Sequence, residues 1–359
     1  MLHKSDRGDR NVRREGSFDF PGQHQACVFI TMFLLGILLP IALLAGTVFA
    51  TEQNELRAPR DDLFSVTFPD ETHGWACGRW GTVVHTQDGG RTWRAQETGT
   101  DFTLSSISFP DSRNGWAVGD RGTIIHTSDG GSTWKKQRSP VPFFLMGVYF
   151  ANPLKGWIAT ERTHILHTEN GGQTWTVQFK DEDFILKAVS FCDARNGWAV
   201  GEYGYIYHTK DGETWSKQAG SFRLSEETGQ AEGGDQLFGV MALDASTAWA
   251  VGIDGCVIKT TDGGKSWTKV NARAPKSQLF AITGDKDGAV VIMGKRAFLV
   301  SLDCGKTWAN PKLDPPFPYG WIYGLARRGA AGFAAVGQQG AIYLGNADSW
   351  QRINYREAK

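Results

Sequence analysis

The chain has no excess of either charge sign: 38 Lys and Arg stand against 38 Asp and Glu. Sequence-independent nucleic-acid binding needs a positive surface, so this balance argues against a nucleic-acid partner. Cysteine is sparse. Cys27, Cys77, Cys192, Cys256 and Cys304 form no C-x-x-C pair and fit no zinc spacing. Five is an odd number, so a complete disulfide framework is excluded and the thiols read as small buried hydrophobes. A Cys256–Cys304 bridge between neighbouring repeats is the weaker alternative. The G-x-x-G turns at 78–81, 119–122, 201–204, 252–255 and 337–340 lead into no helix, so a dinucleotide site is excluded. No cofactor and no metal are expected.

Charge is also missing from residues 26–50, a run of 25 residues where about 20 suffice to cross a bilayer core as a helix. Lys4, Arg7, Arg10, Arg13 and Arg14 precede it, which places residues 1–25 in the cytoplasm as a disordered tail and the remainder across the membrane. Pro40 kinks such a helix without abolishing it. The run reads as a single-pass anchor, or as a signal cut after Ala50, behind small residues at 48 and 50. Arg13–Arg14 matches a twin-arginine signal poorly, and Cys27 precedes the run, so it is no lipoprotein cysteine. Residues 51–62 read as a linker and 354–359 as a tail.

Glycine and tryptophan are abundant instead, at 44 and 14 residues. Their arrangement is periodic. HTQDGGRTW at 85–93 returns as HTSDGGSTW at 126–134, HTENGGQTW at 167–175, HTKDGETW at 208–215, KTTDGGKSW at 259–267 and VSLDCGKTW at 300–308, and degenerates to GNADSW at 345–350. The closing residues Trp93, Trp134, Trp175, Trp215, Trp267, Trp308 and Trp350 are 41, 41, 40, 52, 41 and 42 apart, with an inserted loop at 219–236. Each unit carries four short alternating runs separated by tight turns, with strands expected at 64–68, 75–78, 83–86 and 92–96 in the first. The period and strand count predict an all-β, seven-bladed propeller of four-stranded antiparallel blades over 63–353, preceded by one N-terminal hydrophobic helix. Stacking buries the faces of each blade, and closure removes exposed edges.

The turn string is the Asp-box, Thr86-x-Asp88-x-Gly90-x-Thr92-Trp93. Its carboxylate accepts backbone N–H groups, its glycines supply positive φ, and its tryptophan covers the seam between strands. Asp88, Asp129, Asp211, Asp262 and Asp303, with the box tryptophans, are therefore read as structural. So are Trp75, Trp116, Trp157, Trp198 and Trp249 in the second strands; Trp80 and Trp321 fall outside the pattern. His85, His126, His167 and His208 occupy equivalent places in different blades and cannot converge on one ion. Paired catalytic carboxylates should break the repeat, and most of the acidic residues obey it. No Arg-Ile-Pro string of the sialidase kind is present, so no catalytic residue is assigned. The residues that do break the repeat are candidate partner contacts: Arg79, Trp80, Arg121, Arg162, Lys295 and Arg296 on the turns after second strands, and Arg138 and Arg223 on connections between blades. Arg is favoured at interfaces for its planar multi-donor fork. Asp120, Glu161, Glu202 and Asp254 share those turns, and a merely solvated rim of mixed charge is the plain alternative.

Phe-x-Asp-x-x-x-Gly-Trp-Ala-Val-Gly followed by Gly-x-x-x-His-Thr-x-Asp-Gly-Gly-x-Thr-Trp reads here as residues 109–119 with 122–134, and 191–201 with 204–215. The combination resembles the photosystem II stability and assembly factor family, over essentially all of 63–353. The resemblance implies an exported factor without known catalysis that helps to build the reaction centre around its D1 subunit in photosynthetic membranes, with an arginine-rich patch implicated in docking. Relatives also occur in non-photosynthetic bacteria. The usual lipoprotein signal and long plastid-targeting peptide are absent here, so assistance to another membrane complex of the cell envelope is a parallel expectation. The alternative function is an Asp-box glycosidase of sialidase type or a glycan-binding protein; a third is an adaptor for a neighbouring transporter.

Overall fold

The computed structural model describes residues 61–225, 231–316 and 320–353. The expected tail, N-terminal hydrophobic helix and most of the linker lie outside the described residues. Among the described residues no helix is long and apolar enough to cross a membrane.

The repeats form seven sheets, antiparallel throughout except at the outer edge of blade 7. Blade 1 runs Leu63–Thr67, Gly74–Gly78, Val83–Thr86 and Arg94–Gln96, hydrogen-bonded in chain order. Blades 2 to 5 repeat this, with first strands Leu104–Ser108, Leu145–Phe150, Leu186–Phe191 and Leu237–Ala242. Blades 6 and 7 begin with Leu279–Gly284 and Ile322–Arg327. First strands of successive blades lie side by side, and that of blade 7 lies against that of blade 1. The closure buries Leu63, Val66, Ala76 and Val84 of blade 1 with Ala326, Ala334, Val336 and Ile342 of blade 7. It is pinned by the buried Arg328, whose Nη1 donates to Gly89 O at 2.6 Å.

Two blades depart from the expected four strands. Blade 6 has three, Leu279–Gly284, Val290–Gly294 and Phe298–Ser301, and its outer edge keeps only a bridge from Val300 to Ala309. The cause is Pro311. It falls three residues after Trp308, where Gln96 follows Trp93, and proline has no N–H for the next rung. The chain leaves instead, and Lys312–Asp314 becomes a fifth strand on blade 7, parallel to Ser349–Arg352. The insertion is not simply a loop: Phe222–Leu224 pairs with Ala231–Gly233 as a hairpin.

Second strands are buried along their length. In blades 1 to 3 the tryptophan is sandwiched between a histidine of its own blade and a phenylalanine of the next; Trp198 keeps only His208, and Trp249 has Lys259 over its ring at 4.6 Å. Trp116 stacks on His126 with centroids 4.5 Å apart and on Phe150 at 3.6 Å. Trp75 and Trp157 repeat this with His85 and Phe109, and with His167 and Phe191. Their indole N–H groups also cross the seam, Trp75 to Gly130 O at 3.1 Å and Trp157 to Gly212 O at 3.0 Å. Burying such a ring contributes about 2–3 kcal/mol, so each seam is held by large apolar area aimed by one hydrogen bond.

The box tryptophans also differ from expectation: they seal seams between blades, not between strands of one sheet. Trp134 donates to Gln96 Oε1 at 3.2 Å, and Gln96 Nε2 donates to Gly130 O at 2.9 Å. Gln137, Gln178 and Gln218 bridge their seams in the same way. Where no such glutamine precedes, Trp93 and Trp308 turn to their own box carbonyls, Gly90 O at 2.8 Å and Gly305 O at 3.1 Å. Of the four described cysteines, all free, only Cys77 is buried; Cys192 and Cys256 are half-buried and Cys304 is exposed, so the buried-hydrophobe reading fails for three.

Candidate functional site

The two faces of the ring carry different constraints. Turns after first and third strands share one face: Gly89 N donates to Thr72 O and Gly130 N to Arg113 O. The Asp-boxes therefore sit here. Asp129 accepts from Thr127 Oγ1 at 2.8 Å, Thr133 N at 2.9 Å and Thr133 Oγ1 at 2.7 Å, and the Thr133 bonds hold its carboxyl down at about 2. Asp262 and Asp303 are held at about 2 by the same side-chain and backbone bonds, from Ser266 and Thr307. A carboxyl so firmly ionised donates no proton near neutrality, which suits a turn brace and not a general acid. The repeated histidines lie flat on tryptophans, and burial pulls His85 and His208 down to about 4. Among the described residues no cluster of His, Cys, Asp or Glu could hold a metal.

The opposite face is built from turns after second strands and from connections between blades, and here the repeat breaks. In every blade the residue following the second strand donates its backbone N–H to the carbonyl just before the first strand. Arg79 bonds to Asp62 O, Asp120 to Thr103 O, Glu161 to Phe144 O and Glu202 to Ile185 O; Ile253, Lys295 and Gln338 do the same. The next residue is left-handed in every blade: Trp80, Arg121, Arg162, Tyr203, Asp254, Arg296 and Gln339 have φ between 53° and 65°. None is glycine, and each such residue costs on the order of 1 kcal/mol. In six blades the strand beneath ends in glycine, where a Cβ would clash, as at Gly119, 1.9 Å from Thr103 O; blade 3 ends in Thr160. The turn backbone is thus fixed by main-chain bonds, and the tip side chain is free to differ.

The sequence candidates fall on this framework as follows. Trp80, Arg121, Arg162 and Arg296 occupy tips; Arg79 and Lys295 immediately precede tips. Blades 1, 2 and 3 bring together Arg79, Trp80, Arg121 and Arg162, with exposed Arg138 on the connection from blade 2 to blade 3. Trp80 is 69% exposed. Arg121 lies over the Phe102 ring at 5.1 Å and Arg162 over Phe143 at 5.0 Å, with Asp120 and Asp183 each 3.8 Å away. Arg79 is 3.4 Å from Asp62. Stacking on the exposed Phe102 and the half-buried Phe143 holds the guanidinium planes while leaving donors to solvent. Lys295 and Arg296 stand apart on blade 6. Arg223 stands apart on the inserted hairpin and is engaged by Glu232 at 2.7 Å. The hairpin covers the tip of blade 4, Phe222 packing on Tyr203 at 4.8 Å and on Phe184 at 5.0 Å.

A second set of positions escaped sequence reading. In every blade the pairing of first and second strands slips by one residue after the opening Leu or Ile. The bulge leaves Phe64, Ser105, Met146 and Lys187 unpaired in blades 1 to 4, and Phe238, Phe280 and Tyr323 in blades 5 to 7. Bulges re-aim the extra side chain, here at the channel end belonging to the varied face. The signal was available: Leu63, Leu104, Leu145, Leu186, Leu237 and Leu279 are invariant, and the residue after each is not.

Comparison with known proteins follows this geometry. No match was found among curated proteins. A solved structure described as YCF48 bound to D1 peptide superposes with a TM-score of 0.65 at 20% identity, over 81% of this chain and 95% of that one. YCF48 from Cyanidioschyzon merolae gives 0.63 at 21% identity, over 80% and 96%. A GH74 xyloglucanase from Xanthomonas campestris gives 0.64 at 13% identity, over 83% of this chain and 55% of that enzyme. At these identities the likeness is one of fold. The model of the family described as photosynthesis system II assembly factor YCF48 matches residues 49–140, 133–236 and 227–355, and the chain belongs to that family.

Proposed function

We propose that this propeller is a non-catalytic docking factor that holds a reaction-centre polypeptide, or its counterpart in a related membrane complex, while the complex is assembled. The observation that carries the reading is that one face holds a tip of fixed backbone in every blade with a side chain that differs from blade to blade. There a fixed backbone presents Arg79, Trp80, Arg121 and Arg162 on three consecutive blades. Family membership supports an assembly role, and the relative bound to a D1 peptide supports a D1-like client. The Asp-box carboxylates are committed to turns on the other face, and Asp120, Glu161 and Glu202 occupy one equivalent position in separate blades of this one, which favours binding over hydrolysis. We further propose that residues 26–50 deliver the propeller across a membrane and tether it there, with the docking face on the exported side.

The test is co-purification of D1 with the tagged full chain from detergent-solubilised membranes. Arg79→Glu, Arg121→Glu and Arg162→Glu combined should lower recovery at least about tenfold, since reversing several interface cations costs more than 1.4 kcal/mol. Lys265→Glu on the Asp-box face should leave it unchanged. Equal recovery from both variants would sink the reading. Protease protection of the propeller in sealed right-side-out membranes, lost on permeabilisation, should follow if the exported placement is right.

A further inference from the structure

The bulge residues of blades 5, 6, 7 and 1 are all aromatic, and their rings touch in sequence. Phe238 meets Phe280 at 5.5 Å, Phe280 meets Tyr323 at 5.5 Å, and Tyr323 meets Phe64 at 5.2 Å. Trp321 joins them, 5.7 Å from Phe280 and 6.0 Å from Tyr323. The rest of the mouth is Ser105, Met146 and Lys187, so one side of it is an aromatic arc and the other is not. All five rings are half-buried and retain surface. Three contacts along the arc are inclined by 55°, 44° and 60°, while Phe280 and Trp321 lie nearly parallel at 23°, so the arc offers ring faces and edges in several orientations.

Two lysines flank the arc. Lys295 Nζ lies 4.9 Å from the Trp321 centroid and Lys187 Nζ 5.8 Å from that of Phe238. The neighbouring carboxylates are engaged: Asp62 is 3.4 Å from Arg79, and Glu202 accepts from Ile185 N while lying 3.9 Å from Lys187. Among the described residues Lys295 has no carboxylate within 4 Å. We propose that this arc binds one apolar side chain, aliphatic or aromatic, of an extended acidic peptide, and that Lys295 takes a carboxylate next to it. The arc supplies apolar burial, and a cation beside it selects for a neighbouring Asp or Glu. The proposal deepens the docking reading and rests on it for the choice of face.

The probe is a bead library of random acetylated octapeptides screened against the fluorescent full chain, followed by titration of the selected peptides. Enrichment of an apolar residue adjacent to Asp or Glu is expected. Phe280→Ser should weaken those peptides roughly tenfold or more, and Phe280→Leu should stay within about threefold of the parent. Lys295→Gln should remove the preference for carboxylate over the matching amide. Thermal melts of each variant separate lost binding from lost fold. No enrichment, enrichment unaffected by Phe280→Ser in a folded variant, or binding of a xyloglucan oligosaccharide in place of peptides would overturn the proposal. D1 recovered equally by parent and Phe280→Ser would remove this site and leave the docking reading standing. Library enrichment without D1 recovery would do the reverse.

Discussion

Replacing Gln137 by Ala isolates the glutamine bridge between blades 2 and 3. Two hydrogen bonds go: Gln137 Nε2 to Gly171 O at 2.8 Å and Trp175 Nε1 to Gln137 Oε1 at 3.1 Å. The Gly171 carbonyl keeps a second donor, Trp116 Nε1 at 3.2 Å, so only the Trp175 indole is stranded. Stranding one shielded donor costs about 1–2 kcal/mol, and losing the other bond about 1 kcal/mol. The total is about 2–3 kcal/mol, which for a fold of this size lowers Tm by roughly 3–5 °C. There is an escape route. Trp93 and Trp308 have no bridging glutamine and donate to their own box carbonyls. If Trp175 relaxes likewise, the cost falls to about 1 kcal/mol, or roughly 1–2 °C. The assay is a thermal melt followed by tryptophan fluorescence and circular dichroism, with Gln87→Ala, exposed on the box turn of blade 1, as control. A Gln137→Ala shift no larger than that of Gln87→Ala would refute the bridge as a source of stability.

Three other outcomes are expected. Trp116→Ala should cost about 3–5 kcal/mol through loss of a ring sandwiched between blades, while Trp80→Ala should change stability by less than about 0.5 kcal/mol in urea melts and weaken client recovery. The pH dependence follows from His85 and His208, whose folded pKa lies near 4 because burial disfavours the imidazolium. Between their ordinary value of 6.5 and about 4 the unfolded chain binds more protons, so their contribution is complete above pH 6.5 and is lost as pH falls toward 4. The urea midpoint should drop across that window, and the combined His85→Phe and His208→Phe variant should flatten the slope. Arg121→Gly removes a side chain from a left-handed position at φ 54° and should raise stability by about 1 kcal/mol while lowering client recovery, measured on the same preparation.

What could be read from the sequence was whatever repeats. The box string at six places, and the Gly-Trp run before it, specify turns and buried strands through local chemistry alone, so blade number and strand order were legible. Trp-x-x-Gln recurs at 93–96, 134–137, 175–178 and 215–218, and it went unread because its meaning lies in the next blade. The bulges were invisible for a different reason. Alternation of buried and exposed residues reports a strand, but a one-residue slip in its pairing changes register without changing composition. The exchange of the outer strand from blade 6 to blade 7 was signalled by Pro311 alone, and a single proline forbids one rung without saying where the chain goes instead. Of the candidate contacts, the turns around Arg79, Arg121 and Arg162 were found because they interrupt the period. The aromatic arc was missed because Phe64, Phe238 and Phe280 look like ordinary strand residues until the register places them.

The two faces also explain how such a ring tolerates divergence. On the Asp-box face nearly every fixed side chain answers to another blade: the box closes a turn, the tryptophan fills a seam, the glutamine ties the two. A change there exposes a buried donor or opens a cavity, at several kcal/mol against a total stability of about 5–15 kcal/mol. On the opposite face the turn is held by backbone N–H and carbonyl groups, such as Glu202 N to Ile185 O at 3.0 Å, which any residue but proline supplies. The only cost of a new side chain at a tip is its left-handed φ, about 1 kcal/mol, and the residues found there pay it with Trp, Arg, Tyr, Asp and Gln alike. In this chain the side chains that close the ring thus lie apart from the tips, where a change of residue leaves the backbone bonds of the turn in place.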